Sequence, residues 1–249
     1  MIQKIASIAC VGLLISCSTK EIADYDSSNQ VIQDTTADAA LEALIQPYSD
    51  GMKEKMDEVI GYASSTLEKV DPESPLGNFS ADIMYAAGLS YASKTKDIGI
   101  NSMKRSFCLL NFGGLRSPIN QGNISVGDIY SLMPFDNTLT LVKLTGEQVR
   151  LLAKYLMSAH GQPVSNATFQ LSSNSEQMTI GGEAYNFDED VVVVTSDYLA
   201  NGGDKMDFFK DPIRKWNSGI LMRDIYLDHV IATDTLKDYP VEGRITFVK

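Results

Sequence analysis

Basic residues, histidine and cysteine are all scarce in this chain of 249 residues. Lysine and arginine number 21 against 32 aspartates and glutamates, a net charge of −11. That surplus repels a phosphate backbone at long range, and no lysine- or arginine-rich run counters it, which argues against nucleic-acid binding. Any phosphate handled here must be met locally, by a few placed donors. The only histidines are His160 and His229, and no Asp-x-His or Gly-Asn-His sequence accompanies them. A dinuclear phosphoesterase centre needs several His and Asp side chains converging on its ions, so no metal ligand set is read from this chain. Each histidine is expected in a helix, as a surface or helix-end residue. Of three cysteines, Cys10 and Cys17 lie in an apolar leader, which leaves Cys108 alone and excludes an intrachain bridge. There is no Gly-x-Ser-x-Gly elbow and no Walker loop, and Cys108 sits in an apolar run where a thiol behaves as a small hydrophobe. No catalytic residue is assigned. What is present, 44% hydrophobic and 21% charged residues, is ordinary globular composition.

Residues 1–16 carry Lys4 followed by an apolar run from Ile5 to Ile15, too short to span a bilayer. This reads as a secretory signal. Leu14-Ile15-Ser16-Cys17 resembles the lipobox of bacterial lipoproteins, which implies lipidation at Cys17 and a protein anchored to the bacterial cell envelope, facing the periplasm or the cell surface. A plain signal peptide that happens to contain a cysteine is the alternative. Residues 17–37 are polar and rich in Ser, Asp, Thr and Gln, the composition of a flexible tether.

From Asp38 to Ala63, Leu41, Leu44, Ile45, Met52, Met56, Val59 and Ile60 recur at helical spacing, interrupted near Pro47 and Gly51, so a helical arm over 38–63 is expected. Residues 64–249 then alternate. The pattern predicts helices over 75–93, from Thr145 with Gln148 completing a capping box, and over 220–230. Strands are predicted at 107–112, 139–144, 168–171, 178–180, 191–196 and 244–248. The fold class is α+β, one mixed domain behind the arm.

Two glycine-rich turns follow apolar strands. In Asn111-Phe112-Gly113-Gly114-Leu115-Arg116 the paired glycines permit positive φ and close backbone approach, while Arg116 offers a planar fork to phosphate or hydroxyl oxygens. A tight turn with a solvated arginine is the plainer alternative. Tyr198-Leu199-Ala200-Asn201-Gly202-Gly203-Asp204 is the second turn, and two such turns at strand ends read as the rim of one site. Phe135 follows Pro134 in a polar loop and, with Tyr198, can form a slot for a flat base; two core aromatics are the alternative.

The ordered series Glu73-Ser74-Pro75-Leu76-Gly77-Asn78, Asn111 to Arg116, Pro134-Phe135, Leu144-Thr145-Gly146, Ala200 to Asp204 and Val241-Glu242-Gly243-Arg244-Ile245 resembles the C-terminal domain of the 5′-nucleotidase and UDP-sugar hydrolase family. The resemblance covers Leu67 to Val248. It implies a nucleotide or nucleoside site in which Phe135 and Tyr198 sandwich the base, Asn111 contacts base or sugar, Asp204 accepts ribose hydroxyls and Arg116 holds the sugar and phosphate side, with Gly113, Gly114 and Gly203 forming the turns. It also implies that the dinuclear metal site belongs to a separate metallophosphoesterase domain. None is legible here, so no cofactor is expected in this chain and divalent metals are expected on a partner subunit. Two departures stand out. The second stacking position, commonly Phe, is Tyr198. An arginine expected just upstream of the first motif is replaced by Val70, Asp71 and Pro72. The resulting expectation is the substrate-binding half of a split 5′-nucleotidase, with a stand-alone nucleoside-binding lipoprotein as the alternative.

Overall fold

The computed structural model describes residues 38–98, 100–172 and 176–248. The leader, Cys17 and the tether lie outside the described residues. Asp38 caps the first helix, α1 (Ala39–Met56), through Oδ1, which accepts from the Ala40 and Leu41 N–H groups. The helix runs through Pro47 and carries no buried residue. It ends at Met56, earlier than expected. Val59–Ala63 is strand β1, because β-branched and aromatic side chains there pair with segments distant in sequence and that pairing overrides the local helical spacing.

The chain continues through α2 (Pro75–Lys94), β2 (Ser106–Leu109), β3 (Gly122–Ser125), α3 (Val126–Leu132), β4 (Thr138–Leu144), α4 (Gly146–Ser158), β5 (Val164–Ser165) and β6 (Ala167–Leu171). After these come β7 (Glu176–Ile180), β8 (Glu183–Ala184), β9 (Val191–Ser196), α5 (Asp197–Ala200), β10 (Arg214–Leu221), α6 (Met222–Thr233), β11 (Thr235–Leu236) and β12 (Ile245–Phe247). Among the described residues they form three sheets, ordered β11-β1-β3, β10-β4-β9-β2-β5 and β12-β6-β7-β8. The architecture is mixed α and β, as the sequence predicts. Capping chemistry starts the helices: Ser74 accepts from Gly77 N–H at α2, and capping boxes Ser125/Asp128 and Thr145/Gln148 open α3 and α4. His160 is an exposed helix-end residue, as expected, though it falls past the last turn and not within it. It lies just beyond α4 with φ 54°, its ring edge-on to Phe247, whereas His229 sits in α6 against Phe79.

The five-stranded sheet has a core on each face. Cys108, Leu139, Leu141, Val192 and Val194 point to the side covered by α2 and α6, and Phe107, Leu109, Val142, Leu144, Val191 and Val193 point to the side covered by α4 and β6. This is the period-two alternation of a strand buried on both faces, and β9 is buried at all six positions. Burial pushes the Cys108 thiol well above its usual pKa, in keeping with an inert core cysteine.

The first and last sequence motifs meet in one buried knot. The Glu73 carboxylate accepts from Asn78 Nδ2 at 2.7 Å, Glu242 N–H at 2.8 Å and Arg244 N–H at 2.7 Å. Arg244 in turn forks onto Asp82 at 2.7 and 2.9 Å, and also donates to Glu242 and to the Val164 carbonyl. The knot ties the C-terminal segment to α2, and its side chains donate and accept within the protein.

Candidate functional site

Strands β2 and β9 are parallel neighbours, and β4 is antiparallel to β9 on its other side. The C-terminal ends of β2 and β9 therefore lie at the same edge of the sheet as the N-terminal end of β4. Three segments are delivered there: the Asn111–Gly114 turn after β2, α5 with the following glycine turn after β9, and the Phe135–Asn137 loop before β4. Crevices outside the carboxyl ends of parallel strands are where open α/β sheets bind ligands.

A cavity of about 340 Å³ opens at this edge, lined by Asn111, Gly113, Gly114, Arg116, Phe135, Asn137, Tyr198 and Asp204. Of the eight residues read from the sequence, seven line it. Gly203 does not; it lies under the Tyr198 ring, where an added Cβ would come within 2.5 Å of Cε1 and Cζ. Asn137 lines the cavity although the sequence singled out only its neighbour Phe135. Phe135 is 43% and Tyr198 46% exposed, so neither ring is a core residue.

The first turn is a short 3₁₀ helix, Phe112–Gly114. Of the two freedoms that paired glycines permit, positive φ is not used here. The space above them is what matters, because the Asn111 side chain folds back over the pair and its Oδ1 would stand 2.9 Å from a Cβ on Gly114. Lys69 closes the turn by donating to the carbonyls of Phe112 at 3.3 Å and Leu115 at 3.0 Å, and Gln162 accepts from Phe112 N–H. Arg116 leaves the turn exposed. Among the described residues its guanidinium has no hydrogen-bond or ion-pair partner, and it divides the main cavity from a shallower one of about 290 Å³ beside Glu68 and Lys69.

In the second turn Gly202 (φ 87°), Asp204 (φ 50°) and Lys205 (φ 63°) take left-handed conformations. Asp204 is held there by side chains. The Tyr198 hydroxyl donates to its Oδ1 at 2.9 Å and accepts from its N–H at 3.2 Å, Asn111 Nδ2 donates to its Oδ2, and the Tyr155 hydroxyl donates to its carbonyl at 3.1 Å. The hydroxyl that distinguishes Tyr198 from phenylalanine thus has a partner within the site. Burial, then the charge of Asp204 and the neighbouring Tyr198, raises the pKa of Tyr155, so that phenol stays protonated and donating.

Two residues without a signal in the sequence brace the rim. Asp197 Oδ1 accepts from Thr138 N–H at 3.0 Å and Tyr198 N–H at 2.8 Å. Arg223, at the start of α6, donates to the Met133 carbonyl at 3.3 Å and to Asp136 at 2.6 Å. Burial works against the Arg223 charge, but the hydrogen bond to Asp136 and the nearby Tyr130 and Asp136 outweigh it and leave its pKa above the usual arginine value. Among the described residues no group of three or more His, Cys, Asp or Glu is placed to hold a metal ion.

Residues 54–211 match the family described as 5′-nucleotidase, C-terminal domain, a span that includes every cavity-lining residue. The chain is 28% identical over 171 residues to endonuclease YhcR of Bacillus subtilis, covering 67% of this chain and 12% of that protein. It is 28% identical over 199 residues to human 5′-nucleotidase, covering 70% of this chain and 33% of that protein. A crystal structure of a 5′-nucleotidase precursor from Thermus thermophilus superposes with a TM-score of 0.67 at 23% identity, over 84% of this chain and 43% of that one.

Proposed function

This chain belongs to the 5′-nucleotidase C-terminal domain family, and on that premise we propose that it is the nucleotide-binding half of a split 5′-nucleotidase. It would present its substrate to a separate metallophosphoesterase subunit for hydrolysis of the phosphate ester. The observation that carries this reading is the pair of half-exposed aromatics, Phe135 and Tyr198, on one cavity with a free guanidinium and a prearranged carboxylate. A flat base between the two rings removes both from water, and such stacking contributes about 1–3 kcal/mol per base. Each Asp204 carboxylate oxygen already accepts one hydrogen bond and keeps capacity for another, which suits the vicinal hydroxyls of a ribose. Arg116 then lies on the phosphate side, where its fork can donate to two oxygens.

The described residues do not form a metal site, so no step of the hydrolysis is assigned to this chain. Its contribution is to bind and orient the substrate. Holding an ester in attack geometry for a second protein lowers the barrier by the entropy already lost on binding. Divalent metals would reside on the partner. Lipidation at Cys17 would tether the complex to the bacterial envelope; among the described residues no helix is long and apolar enough to cross a membrane. Mixing the full chain with a candidate metallophosphoesterase should give chelator-sensitive phosphate release from AMP above that of the partner alone. No gain would count against the split enzyme.

One observation favours a second reading. Lys69, the cation nearest in sequence to the expected upstream arginine, is spent on backbone carbonyls, which among the described residues leaves Arg116 as the free cation on the cavity. On this second reading one guanidinium is too little to set the affinity, and a nucleoside binds nearly as well as a nucleotide, as a scavenging lipoprotein without catalysis requires. Calorimetry with adenosine and AMP separates the two, since the scavenger predicts similar affinities and the split enzyme predicts preference for AMP.

A further inference from the structure

The loop that carries Phe135 belongs to no strand or helix; residues 133–137 join α3 to β4, held by backbone only at the ends, where Met133 N–H donates to Ile129 and the Asn137 carbonyl accepts from Met222 N–H at 2.8 Å. A ring 43% exposed on such a loop would not hold its position by packing alone. Polar contacts fix the loop on both sides of the ring. Arg223, 8% exposed, reaches the carbonyl two residues before Phe135 and the carboxylate of Asp136 one residue after it, while lying 4.4 Å over the Tyr130 ring. Beyond that, Asp197 Oδ1 takes one N–H from Thr138, at the end of the Phe135 loop, and one from Tyr198 itself. One oxygen atom joins the two walls of the cavity.

We propose that Asp197 and Arg223 are positioning residues that set the separation of Phe135 and Tyr198, Asp197 by bridging the two walls and Arg223 by bracing the Phe135 side. The proposal rests on the reading that a base lies between the rings. Neither side chain lines the cavity; both act through the backbone that carries the aromatics. Arg223 also lies beyond the span matched by the family, in the helix that follows β10.

The test is a set of double-mutant cycles read with two probes, AMP and ribose 5-phosphate, the second lacking a base. Arg223→Gln and Asp197→Ala should each weaken AMP about tenfold and leave ribose 5-phosphate unchanged. In a Phe135→Ala background Arg223→Gln should cost less than about twofold further, because the wall it braces is gone, and Asp197→Ala should cost clearly less than it does alone, because one of the two walls it joins is gone. Asp197→Asn keeps an acceptor at Oδ1 and should restore AMP binding to within about threefold. Where Arg223→Gln does not fold, Arg223→Lys in the same cycle decides. Equal loss for both probes, or effects that add fully to Phe135→Ala, would show a merely structural role and overturn the proposal. So would unchanged AMP binding in both variants while Phe135→Ala binds weakly. If Phe135→Ala itself binds AMP normally, the base-slot reading fails first and this proposal falls with it.

Discussion

The Glu73–Arg244 knot and the cavity rim are built from the same kinds of residue: a carboxylate, an asparagine, an arginine and a glycine turn. They differ in what the polar groups have left over. In the knot, Glu73 is 7% exposed and accepts three N–H donors, and Arg244 divides its donors between two carboxylates and a carbonyl. In the rim, Asp204 keeps acceptor capacity, Arg116 is unpaired among the described residues, and two large rings stay half in water. A satisfied network holds a fold together, whereas an incompletely satisfied one next to a cavity is prepared for a ligand. The sequence reading takes Asn111 to Arg116 as part of the site and gives Glu73-Ser74-Pro75-Leu76-Gly77-Asn78 no role; the structure gives the latter its role in the knot.

That contrast is broken or sharpened by paired measurements of stability and affinity. The largest effect is expected at the knot. Glu73→Ala leaves the Glu242 and Arg244 N–H groups without their acceptor and should cost about 3 kcal/mol in urea unfolding. Under conditions where the variant is folded, its AMP affinity should match the wild type; a specific loss of affinity would place the knot in the site. Phe135→Ala should do the reverse, with AMP affinity falling by about 1–3 kcal/mol and stability changing by less than about 0.5 kcal/mol.

A smaller effect is expected from Tyr198→Phe, which keeps the ring and removes the hydroxyl that orients Asp204. AMP affinity should drop by about 1 kcal/mol, and a 2′,3′-dideoxy analogue, which has no hydroxyls for Asp204 to accept, should lose less. Equal losses would mean that the hydroxyl serves the base and not the sugar. The smallest effect concerns the frame alone. Burial, with Glu189 and Asp190 adding to it, pushes the Tyr185 phenol up to about 12. The folded state therefore keeps this proton after the unfolded chain has lost it, so the contribution of Tyr185 is present below pH 10 and is lost as pH rises through 12. A Tyr185→Phe variant should lose stability less steeply over that window, and identical slopes would remove Tyr185 as a cause.

Much of this was readable from residues in order. The apolar run Val191–Ser196, the Thr145/Gln148 box and the helix opened by Ser74-Pro75 are local signals, and local signals survive into the structure. The residues that line the cavity were legible for a related reason: core packing does not call for glycine pairs after strands or for an aromatic in a polar loop. Where reading failed, distant partners decided. Val59 to Ala63 matches a helical spacing until β3 and β11 offer it a sheet. Strand β10, Arg214–Leu221, pairs along only one side at the sheet edge and is largely exposed, so it shows no apolar alternation. Asp197 and Arg223 carry no motif at all, since their roles depend on Thr138, Met133 and Asp136 being brought beside them by the fold.

The most direct measurement is a calorimetric titration of AMP into the full chain in the presence of EDTA, repeated with Phe135→Ala. The account predicts saturable binding that the chelator leaves intact and that weakens about tenfold or more in the variant. No binding, or equal affinity for both proteins, would contradict it.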